Sequence, residues 1–267
     1  MPTLTELSLR RKPDFAQWTP NFIQFFTNFT SLRWLLLDDP DTSTMHMVAC
    51  MRSSLSTLII SHGIPSTLPS QPLPSSSLSS LETLCFRDVE LPPVVSGWLE
   101  RCPHLKSIYA NSNASPDAAR TLRQANKAAI RKAAGWPSLV GAMGSIADIY
   151  SLGLSHSLDE VAVDFISTRP LEELEMLRTV LCDTVPEALY IKLCFPWYAP
   201  NGVDFLEAFA REGVFRRALE STGTGRLRRL SVVLAFESDS LQTLATDALP
   251  DLKQSKIKKP AVDAGDL

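Results

Sequence analysis

The sequence predicts an α/β fold in which parallel strands form one face and helices and loops form the other. The first observation is a recurring L-x-x-L-x-L pattern, which starts at residues 4, 32, 55, 81 and 105. The second is its spacing, because successive starts lie 28, 23, 26 and 24 residues apart. These steps match the roughly 20–29 residues of leucine-rich repeats. The two observations together predict an irregular leucine-rich-repeat solenoid.

Each copy of the pattern supplies three apolar slots. Alternate side chains of a strand point to the same face, so the last two slots should enter a core beneath a parallel sheet. The occupants of the three slots in successive copies are Leu4, Leu7 and Leu9; Leu32, Leu35 and Leu37; Leu55, Leu58 and Ile60; Leu81, Leu84 and Phe86; and Leu105, Ile108 and Ala110.

The segments between the strands must return on the other face, which predicts short helices or turns there. Phenylalanines at 22, 25, 26 and 29 have helical spacing, as do Val95, Trp98 and Leu99 before Cys102 and Pro103. Residues 65–80 contain four prolines and seven serines, a composition that predicts a loop between two repeats.

Beyond residue 112 the repeat is weaker. We expect repeats over 1–111, a helical insertion over 112–157, divergent repeats over 158–249 and a disordered basic tail over 250–267. Amphipathic helices are predicted near 171–182 and 204–220. The candidate strands of the second half are Leu158, Val161 and Val163; Ala188, Ile191 and Leu193; and Leu227, Leu230 and Val232.

Composition narrows the function classes. The net charge of −3 over 267 residues disfavours a dedicated nucleic-acid binder, whose domain is normally basic. The five cysteines include no C-x-x-C pair, and the four histidines have no metal-ligand spacing. We therefore expect no metal and no cofactor. We find no secretory signal and no apolar stretch of about 18 residues, so we expect a cytoplasmic or nuclear protein without a membrane partner.

Several segments resemble the repeats of F-box-type leucine-rich-repeat proteins, especially the divergent fungal ones. They are "FTSLRWLLL", "LSSLETLCF" and "RCPHLKSIYA", in which Cys102 and Pro103 end a helix shortly before the strand of Leu105 and Ile108. The resemblance covers residues 4–111 and, more loosely, 158–235. It implies a substrate-recognition role. Because Leu4 already belongs to a repeat, we expect no F-box here and therefore no docking to the Skp adaptor of a ubiquitin ligase.

The positions between the core slots should point outward from the sheet and form a binding surface. Each strand has three such positions, which we call the first, central and last outward rows. The first row is predicted to contain Trp34 and Tyr190, and the central row to contain Leu36, Ile59, Tyr109 and Lys192. The predicted last row includes Arg10, Asp38, Arg87 and Asn111. Exposed aromatic side chains near arginine are typical of protein-binding surfaces. The alternative is that residues 112–157 fold back over this face and bury it.

Residues 116–134 predict a helix with a basic stripe. Ser115 is a suitable N-cap and Pro116 suits the first turn. The stripe consists of Arg120, Arg123, Lys127 and Arg131, and it predicts either an anionic partner or a solvated face.

The resulting function hypothesis is a non-catalytic scaffold for protein–protein interaction with an unidentified protein partner. One alternative is a hydrolase that uses Ser155 and His156, although the G-x-S-x-G pattern lacks its last glycine. The other is weak nucleic-acid binding through the basic helix. We also expect self-association through the first repeat, because its strand has no predicted neighbour on one side.

Overall fold

A computed structural model describes residues 4–9, 28–40, 44–45, 47–48, 51–62, 78–89, 98, 101–112, 114–132, 135–165, 170–195 and 226–236. In them, nine strands form one parallel sheet in chain order. The strands are β1 (Glu6–Leu9), β2 (Trp34–Asp38), β3 (Thr57–Ser61), β4 (Thr83–Val89), β5 (Ser107–Ser112), β6 (Gly141–Ser145), β7 (Glu160–Phe165), β8 (Ala188–Phe195) and β9 (Arg229–Phe236). The helices are α1 (Pro116–Lys132), α2 (Ile146–Leu152) and α3 (Pro170–Thr184).

The predicted register of the first five strands is confirmed. Leu35 on β2 pairs with Leu58 on β3, Leu58 pairs with Leu84 on β4, and Leu84 pairs with Ile108 on β5. Leu35, Leu58 and Leu84 are fully buried, so equivalent slots of successive repeats stack as one ladder. The parallel pairing over residues 4–111 is also as predicted.

One hydrogen-bond pattern recurs at the start of the strands. The carbonyl of Arg33, just before β2, accepts bonds from the backbone N–H groups of Ser56 and Thr57. The carbonyl of Glu82, before β4, accepts in the same way from Lys106 and Ser107. The residue before each of these strands thus fixes where the next strand begins. The same hydrogen bonds set which residues of neighbouring strands lie side by side.

The three helices lie on the core side of the sheet. Ala119 and Ile130 of α1, Ile149 of α2 and Leu177 of α3 belong to the same buried cluster as the strand leucines. Helix α1 packs on α2, and α2 packs on β5, β6 and β7. The described part of 112–157 therefore contributes to the core and to the sheet and does not cover the outward face.

The structure corrects the expectation that 112–157 is only a helical insertion. Residues 141–145 form β6, which pairs with β5 and β7. Its core side presents Ala142 and Gly144, whereas the same two slots of the other repeats hold leucine, isoleucine, valine or phenylalanine except at Ala110. Two such small residues remove the apolar signal by which a repeat strand is recognised.

The second correction concerns β8. The sequence pattern placed Ala188, Ile191 and Leu193 in the three slots, but Leu189 pairs with Val161 and Ile191 with Val163. The true slots therefore begin two residues earlier. Proline at the first slot, position 186, concealed the start of the repeat.

A buried carboxylate joins β5, β6 and α2. Asp148 is fully buried, and its oxygens accept hydrogen bonds from the backbone N–H and the hydroxyl of Ser112 and from the hydroxyl of Ser145. Ser145 also caps α2 by accepting from the backbone N–H of Asp148. These hydrogen bonds between Ser145 and Asp148 satisfy the buried polar groups where β6 turns directly into α2.

Several predicted features lie outside the described residues. They are Arg10, most of the phenylalanine stripe, Val95, Leu99, residues 65–77, the helix near 204–220 and the tail over 250–267. Phe29 and Trp98 are described: Phe29 packs against the core, and the Trp98 ring meets Phe86 edge to face with 5.7 Å between centroids.

Candidate protein-binding surface

The outward face of the sheet carries three rows of side chains that run across the strands. The first row, from β2 to β9, consists of Trp34, Thr57, Thr83, Ser107, Gly141, Glu160, Ala188 and Arg229. The central row, from β2 to β8, consists of Leu36, Ile59, Cys85, Tyr109, Met143, Ala162 and Tyr190. The last row, from β2 to β8, consists of Asp38, Ser61, Arg87, Asn111, Ser145, Asp164 and Lys192.

The rows differ from the sequence prediction at one strand. Tyr190 lies in the central row rather than the first, and Lys192 lies in the last row rather than the central one, because β8 is displaced by two residues. Met143 is a central-row residue that the sequence prediction missed. Trp34, Leu36, Ile59, Tyr109 and the last-row residues of β2 to β5 lie in their predicted rows.

The central row is apolar along its whole length. Ile59 and Cys85 are each 6% exposed, and Leu36, Tyr109 and Tyr190 are partly exposed. The first and last rows are mainly polar, so an apolar stripe runs between two polar borders. We call the seven residues of the central row, from Leu36 on β2 to Tyr190 on β8, the central stripe.

A polar cluster surrounds Tyr109 in the middle of the face. Burial raises the pKa of the Tyr109 phenol, the Asp164 carboxylate raises it further, and a hydrogen bond with the Asn111 side chain opposes the shift. Burial also raises the pKa of the Asp164 carboxyl, against the influence of Lys192. The side chains of Tyr109 on β5, Asp164 on β7 and Lys192 on β8 therefore interact through space, as their positions in neighbouring rows require.

Arg87 borders the same cluster from β4. Its guanidinium interacts with the thiol of Cys85, whose pKa is nevertheless raised by burial, and with the phenol of Tyr109. Arg87 is exposed. Among the residues that the structure describes, no carboxylate forms an ion pair with it.

Tyr190 is held by a residue that the sequence analysis did not select. The guanidinium of Arg229 on β9 donates a hydrogen bond of 3.0 Å to the phenolic oxygen of Tyr190. The two residues are 39 positions apart in the chain, so only the register of β8 and β9 could have identified this contact.

The first row has a gap between its side chains at Gly141 of β6. Gly141 has no side chain, and the Ser145 hydroxyl is occupied in the cap of α2. A Cβ atom at Gly141 would lie 3.7 Å from the Ser107 hydroxyl oxygen and 4.0 Å from the Glu160 carbonyl oxygen, which are ordinary contact distances. Packing within this chain therefore does not require glycine at position 141.

Asp38, at one end of the last row, is paired with His62. Its carboxylate oxygen lies 2.8 Å from the Nδ1 atom of His62. His62 follows β3 in a left-handed conformation with φ of 55°, and Asp39 after β2 and Asp88 within β4 have φ of 53° and 50°. Aspartate and histidine tolerate this conformation better than most residues, so the chain turns alike in three successive repeats.

The basic helix meets acidic residues of the same chain. Arg123 is 4% exposed, forms an ion pair with Asp183 of α3, donates to the Tyr150 carbonyl and lies 4.3 Å from the centroid of the Tyr150 ring. Lys127 donates to Asp183 at 2.9 Å.

Arg120 is also paired, with Asp117 at 2.8 Å and with Glu172 of α3 at 2.9 Å, and Arg131 is exposed. The prediction of a solvated face is therefore wrong at Arg123, which is buried, whereas Arg120 and Arg131 are exposed. Arg120, Arg123 and Lys127 each pair with a carboxylate of α3.

Ser155 and His156 follow Gly153, the C-cap of α2, and precede β7. Ser155 is exposed and His156 is partly buried. The chain here runs from a helix into a strand, whereas a nucleophile elbow runs from a strand into a helix. In the described ranges, no three histidine, cysteine, aspartate or glutamate side chains come together in a metal-ligating group.

Comparison of the chain with protein-family models, with curated protein sequences and with solved structures gave no match. No helix in the described part of the chain is long and apolar enough to cross a membrane.

Proposed function

We propose that this protein is a non-catalytic scaffold that binds a protein partner on the outward face of its sheet. The observation that carries the proposal is the central stripe, in which the partly exposed Leu36, Tyr109, Met143 and Tyr190 lie in one row with the buried Ile59 and Cys85. Partly exposed apolar and aromatic side chains that lie in one row are a feature of interaction sites.

The composition of the face supports this function. Tyrosine, methionine and arginine are enriched at protein–protein interfaces, and Tyr109, Met143, Tyr190 and Arg87 lie within a few strands of one another. The polar borders resemble the rim of such an interface, which remains in contact with water.

We further propose that the repeat is a leucine-rich-repeat solenoid of the kind found in F-box-type proteins. Repeats of 23 to 28 residues, strands in chain order and core slots in register support it. By this proposal the protein recognises a substrate or partner protein. Nucleic-acid binding through α1 is less favoured, because three of the four cations of its basic stripe, Arg120, Arg123 and Lys127, already pair with Asp183 or Glu172.

The experiment is to block the face without disturbing the fold. In Gly141→Trp, a large side chain would project from the first row at β6, where a Cβ has room. Gln124→Trp adds the same bulk on an exposed position of α1 and is the matched control. Partners recovered from cell extract by cross-linking mass spectrometry should be lost with Gly141→Trp and kept with Gln124→Trp. Equal recovery with both variants would contradict the proposal.

A further inference from the structure

The dimensions of the central stripe define the shape of the segment that would lie on it. The stripe crosses seven strands, and strands lie about 4.8 Å apart, so its length is about 29 Å. An α-helix of about 19 residues has the same length. The first and last rows are four residues apart on each strand, which is about 13 Å, and a helix with its side chains is about 10–12 Å wide.

The backbone of the sheet limits what an occupant can use. The strands from β2 to β8 are paired on both sides, so their N–H and C=O groups are not available for strand addition. An extended peptide on this face would lose water from its own backbone groups over an apolar stripe, which is costly without partners. A helix satisfies its backbone internally and contacts the stripe with side chains alone.

The charges beside the stripe are not symmetric. On the last row, the carboxylate of Asp164 is compensated by Lys192 on the neighbouring strand. On the first row, Glu160 lies in the field of Arg229. Arg87 is exposed, and the described residues provide no ion-pair partner for it. Its exposed guanidinium is therefore a positive charge at the border of the stripe with which an incoming carboxylate can pair.

We propose, resting on the function proposed above, that the partner presents an amphipathic α-helix that lies along the central stripe and places a carboxylate against Arg87. The apolar side of the helix contacts the partly exposed Leu36, Tyr109 and Met143, with apolar residues at the spacing i, i+3, i+4 and i+7. The carboxylate stands at the border of that apolar side, toward the last row. The partner class is thus a helix with one acidic flank.

The test uses a displayed library of helical peptides of about 20 residues, together with a library of proline-rich peptides that cannot form helices. Both are selected against the full-length protein. The enriched peptides should come from the helical library, carry the i, i+3, i+4, i+7 spacing with an aspartate or glutamate at its border, and gain helicity in circular dichroism on binding. Enrichment of proline-rich peptides alone, or of no peptide, would overturn the inference.

Three variants locate the binding site. Tyr109→Ala and Arg87→Glu should each raise the Kd by about tenfold or more, and exchange of the peptide carboxylate for lysine should restore binding to Arg87→Glu. Arg131→Glu on α1 is the charge-matched control and should leave the Kd unchanged. If non-helical peptides bind and lose affinity in Tyr109→Ala, the helical form of the partner is contradicted but the binding surface is supported. If the bound peptides keep their affinity in both Tyr109→Ala and Arg87→Glu, the helical partner and the proposed surface are both contradicted.

Discussion

Gly144 on β6 lies directly against the backbone of Ala110 on β5. A Cβ atom at Gly144 would be 1.7 Å from the carbonyl oxygen of Ala110, and the φ of Gly144 is 134°. The two residues pair in the register of the sheet, in the slot that holds Leu37, Ile60 and Phe86 in earlier repeats. The sheet therefore depends on the absence of a side chain at this point.

Gly144→Ala should be among the most destabilising small substitutions in the chain. The new methyl group would collide with backbone, which cannot rotate away, and alanine is strained at this φ. We expect a loss of roughly 3 kcal/mol or more in the free energy of unfolding, measured by urea denaturation. Gly141→Ala, on the same strand, is the control and should cost less than about 1 kcal/mol. Similar losses for the two variants would contradict the packing described for β6.

Leu58→Ala tests the leucine ladder. Leu58 is fully buried between Leu35 and Leu84, so its replacement leaves a cavity and should cost about 2–5 kcal/mol. Leu36→Ala removes the same group from the outward face, where it is partly exposed, and should cost less. A loss below about 1 kcal/mol for Leu58→Ala in urea denaturation would show that the core register is wrong.

The sequence predicted the strand register correctly where large apolar residues occupy the slots of the repeat. In the first five repeats the slots hold leucine, isoleucine or phenylalanine, apart from Ala110, and the register could be predicted residue by residue. The prediction missed β6, where Ala142 and Gly144 replace them, and placed β8 two residues too late because Pro186 occupies its first slot.

The placement of residues in the outward rows followed from the same register, which explains why it was correct on β2 to β5 and wrong at Tyr190. Contacts between distant segments could not be predicted. The spacing of Arg123 and Lys127 indicated a basic face, but their partner Asp183 is 60 and 56 residues away. No local sequence pattern identifies α3 as the helix that carries Asp183.

Asp183→Asn tests whether this ion-pair cluster holds the three helices together. The substitution leaves the buried guanidinium of Arg123 without its carboxylate, and removal of one partner of a buried pair is costly. Because the Asp183 side chain is 24% exposed, we expect a loss near the lower end of the usual range, about 3 kcal/mol. Glu175→Gln breaks an exposed pair with Arg178 on the same helix and should cost less than about 1 kcal/mol. Equal effects in urea denaturation would mean that Asp183 is only a surface group.

Cys102 gives the fold a pH dependence in the alkaline range. Burial raises the pKa of its thiol from 9.0 to about 12. Above pH 9 the unfolded chain loses this proton and the folded chain retains it, so the stability contributed by the neutral thiol falls as the pH rises toward 12. Between about pH 8 and pH 10.5 the loss should be about 2 kcal/mol.

The measurement is the free energy of unfolding at the two pH values, compared between the wild-type protein and Cys102→Ala. The variant should be less stable at pH 8 because it lacks the buried side chain, but its stability should fall less between the two pH values. The same fall in both proteins would show that other groups cause the alkaline loss.

We expect the outward face of the sheet, and not its helical side, to bind the partner. The most direct measurement is photo-crosslinking in cells with p-benzoylphenylalanine at position 109, on the central stripe, and separately at position 131, on an exposed turn of α1. We expect a discrete covalent adduct with a partner protein from position 109 and none from position 131. Adducts from position 131 alone, with a folded and expressed variant at position 109, would contradict the claim.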